Sequence, residues 1–168
     1  MKFLADSSLG RLSKWLRILG YDTVYHKGEA GRSFLRKAEK EGRVVLTRRR
    51  DVLARQHPGR VLFVENDRVD DQIEEVLEKL DLRPEPEKRF TLCLRCNEPL
   101  IAAAPDEVKP LVPDYVFRTQ KEFRVCPVCA GVFWPGTHRE RAMKTIDRIL
   151  QQRSRNQPQA TDHKPQGQ

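Results

Sequence analysis

The chain has 168 residues, of which 33% are charged, and a net charge of +8. Its mean hydropathy is −0.68, and no apolar run approaches the ~20 residues that a membrane helix needs. The opening MKFLADSS turns polar too soon for a secretory signal, so a soluble basic protein of the cytoplasm is expected, with nucleic acid as its first candidate partner.

In chain order, Lys2-Phe3-Leu4-Ala5 reads as a buried strand, and Asp6-Ser7-Ser8 supplies helix N-cap candidates. Leu9, Leu12, Trp15, Leu16 and Leu19 then recur at helical spacing, up to Gly20. Asp22–Tyr25 reads as a strand, and Ser33–Glu41 as a helix that Gly42 ends. Val44–Thr47 is a third strand, and Arg50–Gln56 a short helix before Pro58-Gly59. Val61–Val64 is a fourth strand, and Ile73, Val76, Leu77 and Leu80 mark the inner face of a fourth helix. Strands alternating with helices at this spacing predict a parallel sheet with helices on both faces.

Arg83-Pro84-Glu85-Pro86-Glu87-Lys88 has linker composition. Beyond it, the segment around Pro105, Pro110 and Pro113 reads as irregular, Val132–Trp134 as a returning strand, and His138–Leu150 as a closing helix. The expected organisation is an α/β domain over 1–83, a linker over 84–89, a cysteine module over 90–150 and a disordered tail over 151–168.

Cys93 and Cys96 form one CxxC, and Cys126 and Cys129 another, with 29 residues between the pairs. In a chain with no secretion signal this pattern reads as zinc before disulfide. Each turn presents two thiolates, and two turns complete a tetrahedron. Four protein sulfurs leave no open position, so the ion is expected to be structural.

Charge is unevenly placed. Residues 1–60 hold 15 Lys and Arg against 6 Asp and Glu, while 61–89 hold 5 against 10. The run Arg48, Arg49, Arg50, with Lys14 and Arg17 on the first helix, supplies candidate contacts to RNA phosphates. In a parallel sheet the ligand site lies beyond the carboxyl ends of the strands. That rule selects Asp6, Glu29, Asp51, Glu65 and Asp67 as carboxylates able to hold Mg²⁺ or Mn²⁺ for phosphodiester hydrolysis. The same residues could equally cap helices or face solvent.

The opening FLADSSLGRLSKWLRILGYDT, the segment EGRVVLTRRR, and the knuckles CLRCNEPL and VCPVCAGVFWPGTHRERAM occur in one order. Together they resemble the Mut-seven C-terminal ribonuclease domain family over Met1 to about Leu150. The resemblance implies a PIN-like α/β fold followed by a Cys₄ zinc ribbon, and descent from a metal-dependent endoribonuclease. It places the first-strand aspartate at Asp6. It also implies acids near Gly31 and at Arg49, where this chain has none; Glu29 and Asp51 each lie two residues away.

Two functions follow from this. One is a divalent-metal-dependent endoribonuclease using Asp6, Glu29 and Asp51 in a shifted site. The other is a catalytically degenerate RNA-binding protein that uses the arginine-rich strand edge and the ribbon. A protein-interaction adaptor built on the ribbon and the acidic helix is a third class; the sequence names no protein partner.

Overall fold

The computed structural model describes residues 1–156. Strand β1 (Lys2–Ala5) leads through a 3-10 turn, Ser7–Leu9, into α1 (Gly10–Ile18). Then come β2 (Asp22–Tyr25), α2 (Arg32–Glu41), β3 (Val44–Thr47), α3 (Arg50–Leu53), β4 (Val61–Phe63) and α4 (Val69–Lys79). The four strands form a parallel sheet in the order β2-β1-β3-β4. Side-chain alternation along a strand divides its residues between two faces. Phe3, Ala5 and Leu46 pack with α1 and α4, while Leu4 and Val45 pack with α2 and α3. The architecture is the α/β sandwich that the strand–helix alternation implies.

Two glycines close turns here. Gly42 caps α2 at φ 60 in the left-handed region. Gly20 follows α1 at φ +91, and a β-carbon there would lie 2.5 Å from the Lys88 carbonyl oxygen. The segment after α4 thus lies directly on the end of α1, and the Phe90 N–H donates to the Ile18 carbonyl at 2.9 Å.

The cysteine half holds β5 (Ile101–Ala103), α5 (Pro105–Val108), α6 (Asp114–Thr119), β6 (Phe123–Val125), β7 (Val132–Phe133) and α7 (Thr137–Asn156). Its three strands are antiparallel in the order β5-β6-β7. The proline-containing stretch expected to be irregular is helical in short pieces. Val108, Val112 and Val116 from these turns bury against Phe123, a small core of their own. Pieces of four to six residues are too short for apolar periodicity to register.

Helix α7 is longer than expected. Residues 151–156 continue it, and Arg153 is buried. Ala142, Ile146, Ile149 and Arg153 follow at spacings of three to four, so an arginine takes the next inward position. Its guanidinium donates to the Leu82 carbonyl and lies 3.5 Å from Asp81, while Arg148 reaches Asp70 at 2.6 Å. Ile146 and Ile149 belong to the same buried cluster as Leu12, Leu16, Ile73 and Leu77. One core therefore joins residues on both sides of the 84–89 segment. The rest of the expected disordered tail, 157–168, lies outside the described residues.

Past β4, the Glu75 side chain turns back and accepts from the Glu65 N–H at 2.9 Å, the Asn66 N–H at 3.1 Å and Lys79 Nζ at 2.7 Å. Burial pushes this carboxyl up, but Lys79 and the two amides outweigh it and hold the group below its ordinary value. A depressed carboxyl stabilises the fold above its unfolded pKa and loses that contribution as pH falls through the folded one. The difference in Tm between wild type and Glu75→Gln is therefore expected to be widest at about pH 7 and to close toward about pH 3. A gap that stays constant over that range would assign Glu75 a role of shape alone.

Candidate nucleic-acid interface and metal centre

Both CxxC turns are built alike. The Asn97 N–H returns to the Cys93 carbonyl at 2.9 Å, and the Ala130 N–H to the Cys126 carbonyl at 3.0 Å. Asn97 and Ala130 each adopt positive φ, 67 and 54, directly after the second cysteine. These turns bring four sulfurs within 4.8 Å of one another, with Cys93 Sγ 3.7 Å from Cys129 Sγ. A tetrahedron with metal–sulfur bonds of about 2.3 Å has edges of about 3.8 Å, so the sulfurs are spaced to hold a metal such as zinc. Among the thiols, one is favoured for deprotonation and another resists it. A hydrogen bond from the Gly131 N–H and those from neighbouring thiols bring Cys129 down to about 7, while its interaction with Cys129 pushes Cys96 up to about 12.

The first knuckle is fastened to the sheet. The Asn97 carboxamide accepts from the Thr23 N–H at 2.8 Å and donates to Asp22 at 2.6 Å, satisfying the free edge of β2. Arg17 completes the join. Its Nε donates to the Thr23 carbonyl at 2.8 Å and its Nη1 to the Leu94 carbonyl at 2.7 Å. Arg17, expected among the phosphate contacts, is 5% exposed, and its Nε and Nη1 are committed to backbone carbonyls. Burial pushes its pKa down, while the nearby Cys93 and Cys96 favour its charge.

At the carboxyl ends of the strands, Asp6 is fully buried and caps the first turn. It accepts from the Ser8 N–H at 2.9 Å, from Ser8 Oγ and from Thr47 Oγ1, which in turn accepts from the Arg49 N–H at 3.0 Å. Asp51, in the first turn of α3, is gripped by Arg49 through two contacts of 3.0 Å and by Arg55 at 3.3 Å. The Arg49 guanidinium holds the Asp51 carboxyl below its usual range. Arg49 is itself raised, first by Asp51 and less by Asp6 and Glu29; these groups follow β1, β2 and β3, which run parallel, so they lie at one sheet edge. Glu29 is exposed in the loop after β2. Among the described residues, the four cysteines are the only group of three or more potential ligands whose donor atoms converge; Asp6, Glu29 and Asp51 do not.

Beside this edge runs a groove of about 940 Å³ between the start of α1, the loops after β2 and β4, and the first knuckle. Its basic lining comes from Arg11, Lys14, Arg17, Lys27, Arg48, Arg68 and Arg95, with Asp67 its single acid. Arg48 pairs with Asp67, whose side chain is 85% exposed, and so open an ion pair is readily exchanged. Lys14 and Arg48 thus line the groove, whereas Arg49 and Arg50 lie outside it. Arg50 is exposed, with its guanidinium 5.6 Å from the Phe63 ring centroid. Sequence reasoning missed Arg11, Lys27, Arg68 and Arg95. Lys27 and Arg68 follow β2 and β4, so the strand-end rule that found the acids could also have found them.

The molecule joins a parallel α/β sheet with an edge of acids and arginines to a four-cysteine group that could hold a metal ion. The family model described as the Mut7-C RNAse domain matches residues 1–146, and the chain belongs to that family. No curated protein and no solved structure matches it significantly. Among the described residues, no helix is long and apolar enough to cross a membrane.

Proposed function

We propose that this chain binds RNA through the basic groove, and that its strand-end carboxylates do not form a working hydrolytic metal centre. The observation that carries this reading is the pairing of Arg49 with Asp51, beside a groove with seven basic residues and one acid. A guanidinium at the sheet edge repels Mg²⁺ or Mn²⁺ and attracts phosphate. The four cysteines would hold structural Zn²⁺, and their reduced state suits the cytoplasm.

Binding should weaken with salt, with a log–log slope of about −0.7 for each phosphate neutralised on a single strand. Lys14→Ala and Arg48→Ala are each expected to make that slope shallower by about 0.7. Arg17→Ala should lower stability and leave the slope alone. Fluorescence anisotropy of a labelled oligoribonucleotide across a salt series reads all of these. Affinity that does not change with salt would overturn the reading.

The family's description favours a second reading, a divalent-metal-dependent endoribonuclease with Asp6, Glu29 and Asp51 as ligands. It requires Asp51 to leave Arg49 and turn toward Asp6. In that case the ions would activate water and stabilise the leaving oxygen.

A further inference from the structure

A second cavity, of about 220 Å³, opens where the end of α1, the ribbon and the start of α7 meet. Its apolar walls include Ile18, Leu92, Leu100 and Ala142, and the aromatic rings of Phe90, Phe133 and Trp134 face into the same space. It is smaller than the ~300–1,000 Å³ of sites for drug-sized ligands, which suits a single planar ring system. The charge around it is positive: Arg89, Arg124 and Arg139 stand against Glu122. Arg139 lies over Phe90, with its guanidinium carbon 5.0 Å from the ring centroid. Arg89 has a buried Nε with no hydrogen-bond partner among the described residues. An occupant should therefore be flat and apolar in its body, carry negative charge beside it, and offer a polar edge.

We propose that this cavity receives one unstacked nucleobase of the RNA whose backbone follows the basic groove. The two sites adjoin: Leu94 lines both, and the adjacent Arg95 lines the groove. A strand that follows the groove past Arg95 is thereby brought next to the cavity. There the rings supply a stacking surface, the arginines meet the flanking phosphates, and Glu122 can accept from a base N–H. This inference rests on the RNA reading and adds to it that the substrate is single-stranded at this point, because a base in a duplex cannot leave its stack without loss of pairing.

The test compares a labelled single-stranded oligouridylate with a strand of the same length and charge that lacks its bases. Wild type is expected to bind the base-bearing strand at least about fivefold more tightly, the effect of one base stacked on an aromatic ring. Trp134→Ala should remove that preference and leave the salt slope unchanged, whereas Trp134→Phe should keep most of it. Trp134 also borders the small Val108–Phe123 core, so metal content and thermal unfolding report whether the variant is folded. Ala142→Met, which fills the cavity from α7, should remove the preference without touching the rings.

Equal affinity for both strands with a normal salt slope would overturn the base pocket and leave RNA binding in the groove standing. Folded Trp134→Ala and Ala142→Met variants that both keep the preference would overturn it equally. Binding of neither strand would overturn the RNA reading and this inference together. In that last case, a change in tryptophan emission on adding a Leu-rich peptide would assign the cavity to a protein partner.

Discussion

Cys93→Ser is expected to abolish metal binding at the four cysteines and to unfold the N-terminal sheet together with the ribbon. Sequence organisation alone suggests otherwise, since the linker composition of 84–89 separates two units that could fail separately. The contacts argue for joint failure. The first knuckle holds the edge of β2 through Asn97 and the end of α1 through Arg17. After the second knuckle the chain returns as α7 and contributes Ile146 and Ile149 to the core over α1 and α4. Structural zinc contributes an apparent ~10–16 kcal/mol in small zinc domains, as much as the whole net stability of an ordinary protein, about 5–15 kcal/mol. Its loss should therefore leave no stable native state, or a single much lower transition. Arg17→Leu tests the coupling while keeping the sulfurs. It removes charged hydrogen bonds worth roughly 1.5–3 kcal/mol each, so a large fall in Tm is expected with the metal still bound. Metal analysis and circular dichroism melting read both variants. A Cys93→Ser protein whose sheet melts at the wild-type temperature would refute the joint core.

Arg49→Asp is expected to create a stronger divalent-cation site at the strand edge. The substitution removes a guanidinium, releases Asp51 from its two 3.0 Å contacts, and adds a carboxylate at the edge shared with Asp6 and Glu29. A swing of two unit charges at contact distance from a divalent ion should tighten Mn²⁺ binding about tenfold or more. Titration calorimetry on the zinc-loaded protein measures it. Thr47 and Ser8 still hold Asp6 in this variant, so binding of the ion should exceed any gain in RNA cleavage. Unchanged Mn²⁺ affinity would mean that Arg49 is not what keeps cations out.

The legible part of the molecule was the part with period or fixed spacing. Four strand–helix alternations and two CxxC turns are local signals, and each strand of the parallel sheet falls within a residue of its expected run, whereas the short β5 and β6 were not read. The misread residues depend on contacts far along the chain. Arg17 looks like an exposed helical cation until Leu94 and Arg95, 77 and 78 residues on, cover its side of α1. Arg153 looks like part of a polar tail until its guanidinium meets Leu82. The groove cations are scattered across separate elements, and the dense Arg48–Arg50 run contributes only Arg48 to it. The absent acid at Arg49 was visible in the sequence, but its bidentate pairing with Asp51 was not, because two residues of strand and helix geometry decide whether those side chains meet.

The most direct measurement is a time course of a labelled single-stranded RNA incubated with zinc-loaded wild type and Mn²⁺ at low salt, with binding and chain length read from the same samples. The account predicts a protein–RNA complex that dissociates as salt rises and an RNA that stays full length. Cleavage that requires Mn²⁺ and disappears in Asp6→Asn would contradict it, and would show instead that Asp51 leaves Arg49 to complete a hydrolytic centre.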